Sequence, residues 1–359
     1  MIVYIIIILI LLIGSYSSNS KGYYRVALGA LLIISAFRDP TMAGDFPNYE
    51  RIFNDSPFFM NLISYEADGL SEYTFGYILL NSISKSIVNE YWLFQILYSI
   101  ISILLLSLVF SKLRLKNKEK CYILLALFCF SFIWYFWNIL RQNLANLLYW
   151  LFLIWYFANR PCYNIRNCLI IFCGLFIPSL FHSSALINFI LFPIMIIVGR
   201  IPAQTRIKIF VPISFTIYML SSYVFGPLLN IMVNIIAPRY EMYIDASAGN
   251  GNIINYLLKL SFFIMFSINY DKENYRYKKL VLDTLTMVIL ISSVNQELIN
   301  RVYEYYAIGL YLSFGFVSHY FRKINKELVS FVFAIGLIII FIRFIHISCD
   351  GGFLEYKFL

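Results

Sequence analysis

Residues 37–53 read FRDPTMAGDFPNYERIF. They follow an apolar segment of membrane-crossing character and then crowd Arg38, Asp39, Asp45, Glu50 and Arg51 among turn formers and aromatics. Only 13 % of the chain's 359 residues are charged and 61 % are hydrophobic. Five charges just past a span therefore read in two ways. They are an ordinary solvated loop rim, or part of a site that handles charged, polar ligands at a membrane surface.

Outward from this stretch, long apolar runs recur to both ends. That composition lies outside the range of soluble globular domains. The runs are continuous and not alternating, so a polytopic α-helical membrane protein is expected and a barrel is not. No polar interval exceeds about 35 residues, which leaves no room for a soluble domain. The expected organisation is one integral membrane domain over 1–359.

The net charge is +9. In a membrane chain this excess belongs to cytoplasmic loops that fix orientation, and nucleic acid is not an expected partner. The six cysteines, Cys121, Cys129, Cys162, Cys168, Cys173 and Cys349, lie mostly in or beside apolar runs without a CxxC pair. They read as small apolar residues, so neither metal nor disulfide is expected. The first residues, MIVYIIIILILLIG, lack a basic leader and a small-residue cleavage site and read as a retained, short first span.

In order, helices are expected over about 1–14 and 23–37. The interval 38–72 carries seven acids and only Arg38 and Arg51 as bases, which places it outside. Residues 73–90 are broken by Asn81, Ser82, Ser84, Lys85 and Ser86 and read as a re-entrant or interfacial helix. Tyr91–Phe110 is a clear span. SKLRLKNKEK (111–120) after it is the strongest cytoplasmic marker in the chain. Further spans follow at 121–137, 140–158, 168–181, 185–199, 210–225, 252–268, 280–294, 303–318 and 328–345. A second outer loop is expected over 226–251. About 12 spans with both termini outside put every basic loop, including RIPAQTRIK (200–208), on one face.

The polar residues at outer span ends then form the candidate set. Arg141 lies in FWNILRQNLANLLYW, where Asn138, Arg141, Gln142 and Asn146 are spaced to share one helix face. An arginine in a span must be paired or wet, and its planar fork suits phosphate or carboxylate. A structural pairing with a loop acid such as Asp45 is the plainer alternative. His182, in PSLFHSSALI, is the one histidine at an outer junction and could accept a proton from a sugar hydroxyl. The plainer alternative is a helix start capped by Ser183 or Ser184. Arg301 shares a face with Glu297 and Glu304, either as a salt-bridged interfacial start or as part of a site. Arg239 and Tyr240 stand in a turn-rich outer loop. No phosphate-binding Gly-rich loop, HExxH or adjacent Asp pair is present, so no cofactor or metal is expected.

As an ordered set these segments resemble the EpsG family. FRDPTMAGDFPNYERIF resembles its FR…G-x-D-Y-x-x-Y signature, with Phe46 where tyrosine is common and Pro47 after it. EYTFGYILLNSI, with Glu72, Gly76 and Tyr77, is similar to its E-x-G-Y-x-L-L segment. Leu140-Arg141-Gln142 matches its RQ helix and His182–Leu186 its H-x-S-A-L. Tyr240–Tyr243 matches a Y-x-x-Y loop and Arg301–Tyr305 a late R-x-x-x-Y. The matched order covers about residues 30–310. No single motif is specific; the ordered set is.

The resemblance implies a Wzy-type polymerase of the bacterial inner membrane. Such an enzyme transfers a growing glycan from undecaprenyl diphosphate to the next lipid-linked repeat unit on the periplasmic face, beside a flippase and a chain-length regulator. On that expectation Arg141, with Arg38, Arg239 or Arg301, holds diphosphates, Gln142 and Tyr240 line the substrate, and His182, Asp45 or Glu72 takes the acceptor proton. A lipid-linked glycan ligase, another lipid-dependent glycosyltransferase and a non-enzymatic flippase remain as alternatives. The sugars and the linkage formed are not encoded in any motif.

Overall fold

The computed structural model describes residues 2–62, 74–159, 161, 164–236, 253–272, 277–294, 301–315, 326–347 and 356–358. Among these the protein is all-helical. The only extended pairing among them is an isolated antiparallel bridge between Arg38 and Phe358. Two compact units are formed. The first comprises 1–155, 161–186 and 323–359; the second comprises 156–160 and 187–322.

The first unit begins with α1 (Ile2–Tyr16) and α2 (Ser20–Ala36). Tyr4, Ile7, Ile8, Leu11 and Gly14 form one inward stripe of α1, while Ile2, Ile5, Ile6, Leu9 and Ile13 face outward. Outward isoleucines on a helix with a sealed inner face suit a lipid environment. At Gly14 an added Cβ would lie 2.7 Å from Cβ of Tyr23 and 2.8 Å from Sγ of Cys121, so glycine lets α1 cross α2 and α6 closely.

A short helix α3 (Phe46–Asp55) follows in the loop, with Tyr49, Ile52 and Phe53 turned inward at i, i+3, i+4 spacing. Next comes α4 (Phe75–Ile87), whose 13 residues span about 20 Å, too little to cross a bilayer. The polar residues that interrupt its sequence grip the preceding loop. Lys85 Nζ donates to the carbonyls of Asn54 at 2.6 Å and Ser56 at 2.8 Å, at the C-terminal end of α3, where a cation is favoured. Ser86 Oγ accepts from Phe59 N–H at 2.7 Å.

Helix α5 (Tyr91–Lys112) is, among the described residues, the helix long and apolar enough to span a membrane on its own. Shorter apolar helical stretches run over Ile2–Tyr16, Ile165–Leu180, Ser183–Val198, Ile253–Asn269 and Phe331–Ile342. After α6 (Asn117–Leu127) the chain widens into two π-helical segments, Phe128–Phe132 and Trp134–Asn138, and breaks at Ile139 (φ −106°, ψ 52°). Helix α7 (Leu140–Asn159) then begins afresh, and α8 (Ile165–Phe176) runs on into a 3-10 turn, Ile177–Leu180.

The second unit contains α9 (Asn188–Val198), α10 (Ala203–Ile236), α11 (Ile253–Asn269), α12 (Lys278–Ser292) and α13 (Ile308–Gly315). Helix α12 is buried on all sides through most of its length, as the hub of a bundle must be. Gly309 lets α13 close onto Thr284 of α12. Helix α14 (Lys326–Ile347) returns to the first unit and packs on α6 and the π-helical segment after it.

One expectation is corrected here. The outer loop expected over 226–251 does not start at 226, because α10 continues to Ile236. A proline costs a helix one hydrogen bond and a kink, and the apolar run after Pro227 is enough to carry the helix on. Residues 237–252 lie outside the described set. Arg206, expected in a cytoplasmic loop, stands in the first turn of α10. It is buried, and its Nη1 lies 2.8 Å from Oδ1 of the buried Asp283.

Candidate functional site

The site in the first unit is organised by the break at Ile139. Any helix break inside a packed bundle exposes backbone groups that need partners. Tyr49 of α3 supplies them. Its hydroxyl donates to the carbonyl of Asn138 at 2.6 Å and accepts from Leu140 N–H at 3.0 Å. Gly44 N–H donates to Oδ1 of Asn138 at 2.9 Å. The loop after α2 is thus bonded to a helix junction about ninety residues away.

This corrects the expectation that Asn138 shares a helix face with Arg141. Asn138 closes the π-helical segment, Arg141 opens α7, and Ile139 lies between them. Asn138 faces the loop.

Tyr49→Phe should orphan both backbone groups, at about 1–3 kcal/mol for each buried one. The unfolding midpoint of the detergent-solubilised protein should fall clearly below wild type, with little change in residual helix content. An unchanged midpoint would mean that the break does not depend on Tyr49.

Arg141 stands half-buried in the first turn of α7, with its guanidinium carbon 5.9 Å from the Tyr77 ring centroid. A helix N-terminus already carries partial positive charge. Adding a guanidinium there makes the spot strongly attractive to an anion. Gln142 beside it is buried, and Asn143 donates through Nδ2 to the Tyr98 hydroxyl at 2.7 Å. Asp45 heads α3 and is exposed, with Asn48 and Tyr49 N–H both donating to its backbone carbonyl. Burial pushes the Tyr49 phenol well above its ordinary range, nearby Asp45 adding to this and Arg141 opposing it. Tyr49 therefore stays a neutral clamp and is no candidate proton acceptor. Asp39 is also committed elsewhere. Its Oδ1 accepts from Thr41 N–H at 2.9 Å and from the Thr41 hydroxyl at 2.6 Å, bonds that hold its carboxyl below the usual range.

Arg38 lies near the residues that precede the same break, with its guanidinium carbon 5.5 Å from the Trp137 centroid. Gln95 of α5 fixes the turn into the loop by donating through Nε2 to the carbonyls of Ala36 at 3.0 Å and Arg38 at 2.8 Å.

His182 follows the 3-10 turn after α8. Helix α4 ties it to the rest. Thr74 Oγ1 donates to the Phe181 carbonyl at 2.6 Å, and a Cβ on Gly76 would meet the Leu180 carbonyl oxygen at 2.8 Å. Tyr77, one residue on, lies 6.0 Å from the Tyr49 ring and under Arg141. The start of α4 thus touches both the His182 turn and the Arg141 helix start. Nδ1 of His182 is 2.6 Å from Oγ of Ser184. If the ring donates from Nδ1 to Ser184, Nε2 is the basic nitrogen; if Ser184 donates, Nε2 carries the proton. Only the first arrangement suits a base.

Beneath lies an aromatic floor of Tyr49, Phe53, Tyr77, Tyr91, Phe94 and Tyr98, in mostly edge-on and tilted contacts. Such rings hold the loop rigidly against α4 and α5.

A family model described as the EpsG family matches residues 21–358. The chain belongs to the EpsG family. No curated protein and no solved structure matches it. Membership places this EpsG protein at a membrane, in polysaccharide biosynthesis of a polymerase-like kind.

Not every expected site residue is brought together in this EpsG member. Arg38, Asp45, Arg141, Gln142 and His182 all lie in the first unit. Glu72, Arg239 and Tyr240 lie outside the described residues. Arg301 belongs to the second unit, next to buried Glu304. There Lys259 of α11 is buried, with Nζ 3.1 Å from Ser292 Oγ and 3.4 Å from the Tyr303 ring centroid. Sequence reasoning passed over Lys259 and Asp283. A lone charge inside an apolar run was the signal for both.

Proposed function

We propose that this EpsG protein is a periplasm-facing polysaccharide polymerase of the bacterial inner membrane, with about 12 spans. It transfers a growing glycan from undecaprenyl diphosphate to the non-reducing end of the next lipid-linked repeat unit. One observation carries the reading. Family motifs about a hundred residues apart, the Arg38–Tyr49 loop and the Arg141 helix, meet at one electropositive helix break. The chemistry needs such a place. As the acceptor hydroxyl attacks the anomeric carbon, the bond from that carbon to the diphosphate oxygen breaks. The departing diphosphate gains negative charge, which Arg141 and the N-terminus of α7 stabilise. The acceptor proton passes to His182 Nε2, with Asp45 or Glu72 as the carboxylate alternatives. A flippase supplies the lipid-linked unit, and a chain-length regulator sets where growth stops.

The purified protein, given purified undecaprenyl-diphosphate-linked repeat units, should convert them to a ladder of polymers. A ligase would need a different acceptor, and a flippase would leave the units unextended; either result overturns the polymerase reading. In the same assay Ser184→Ala should lower turnover about tenfold by freeing the His182 tautomer, with KM nearly unchanged. A change confined to KM would reduce Ser184 to a shaper of the turn.

A further inference from the structure

Arg38 differs from Arg141 in being closed off. Its side chain is 1 % exposed, and Nε and Nη1 have no hydrogen-bond partner among the described residues. The adjacent carboxylate, Asp39, spends Oδ1 on Thr41. A guanidinium removed from water without an anion bears a heavy electrostatic cost. Burial accordingly pushes the Arg38 pKa down, with tyrosines 91, 98 and 356 and Asp39 opposing that shift.

A short segment from the far end of the chain borders it. Residues 356–358 lie across the Arg38–Asp39 backbone. The Lys357 carbonyl accepts from Asp39 N–H at 2.9 Å, and Phe358 pairs with Arg38 as a single antiparallel bridge. The Tyr356 hydroxyl donates to the Ile34 carbonyl at 2.9 Å, and its ring lies 6.0 Å from Trp137 and 6.3 Å from Tyr4. Lys357 N–H rests 3.3 Å from Sδ of Met42. Among the described residues the segment's polar fastening is one bridge pair, one hydroxyl bond and one N–H to sulfur contact, few bonds beside a buried cation with unused donors.

We propose that residues 356–358 are a removable strap over an anion site centred on Arg38, and that a phosphoryl group occupies this site when the strap lifts. Strap pairing and ligand then exclude one another. The ligand class rests on the reading of this unit as a lipid-diphosphate site; the closure by the strap does not.

The test uses the full chain in detergent with cysteines at Met42 and Lys357 (M42C/K357C), where Sδ of Met42 lies 3.3 Å from the Lys357 backbone nitrogen. Oxidation should cross-link them efficiently in the ligand-free protein. Saturating farnesyl diphosphate should cut the yield at least about fivefold, while farnesol should not. Inorganic pyrophosphate acting equally would assign recognition to the phosphoryl groups alone; action by farnesyl diphosphate only would show that the lipid is read as well. Adding Arg38→Gln should abolish the ligand effect. Independently, Tyr356→Ala should tighten farnesyl diphosphate binding about tenfold, because the competing strap is loosened. An unchanged cross-link yield with farnesyl diphosphate demonstrably bound would overturn the strap and leave the proposed function standing. No binding of farnesyl diphosphate to wild type would remove the lipid-diphosphate reading, and the ligand assignment with it.

Discussion

Arg141→Ala is expected to stop chain growth, so that cells or vesicles accumulate single repeat units and no long-chain polysaccharide. The guanidinium lies half-buried at the first turn of α7, against Tyr77, where the helix terminus adds its own partial charge. Loss of one such donor to a developing oxyanion costs about 100-fold to 1,000-fold in rate. Arg141→Lys should recover only part of this, since an ammonium keeps the charge and loses the planar fork. The readout is a polysaccharide ladder on a gel beside an immunoblot for the protein. Wild-type chain length at a normal protein level would remove Arg141 from the site.

The second large effect concerns stability. Asp283→Ala should destabilise the second unit by about 3–5 kcal/mol, the usual cost of stripping the partner from a buried charge. Asp283 holds Arg206 at 2.8 Å and Lys279 at 3.0 Å. Those cations also donate to backbone: Arg206 Nε to Ile201 O at 2.8 Å, and Lys279 Nζ to Gly199 O at 2.6 Å. The cluster therefore fastens the turn between α9 and α10 to the start of α12. Thermal unfolding in detergent should show a large drop for Asp283→Ala. A double change of Arg206→Met and Asp283→Leu should recover much of it, because no buried charge is then left alone. Equal losses in the single and double variants would show that packing volume, and not charge, governs the site.

The helical class and most helix positions were legible because apolar runs of this length leave few alternatives. The short α4 was legible too, from the serines and Lys85 that interrupt it. Arg141 and His182 drew notice because polar side chains at span ends are costly unless used. The break at Ile139 was not legible. Residues 134–141 contain no glycine or proline, and the feature that stabilises the break is a tyrosine hydroxyl about ninety positions away. The extent of α10 was misjudged: the span was expected to end at residue 225, and the helix runs on to Ile236. Arg206 was assigned to topology alone, since a sequence shows which loop carries a cation but not whether Asp283 is waiting for it.

The 34 residues of α10 make a rod of about 51 Å, against a hydrocarbon layer of about 30 Å. On the proposed membrane placement, and taken as straight through Pro212 and Pro227, it would rise through about 39 Å along the normal even when leaning by about 40°, the upper end of what such helices adopt. Roughly two turns would then stand among head groups or in water beside a layer of that thickness. A helix with that reserve could slide to meet thinner or thicker membranes, so activity in reconstituted vesicles should tolerate changes in acyl-chain length.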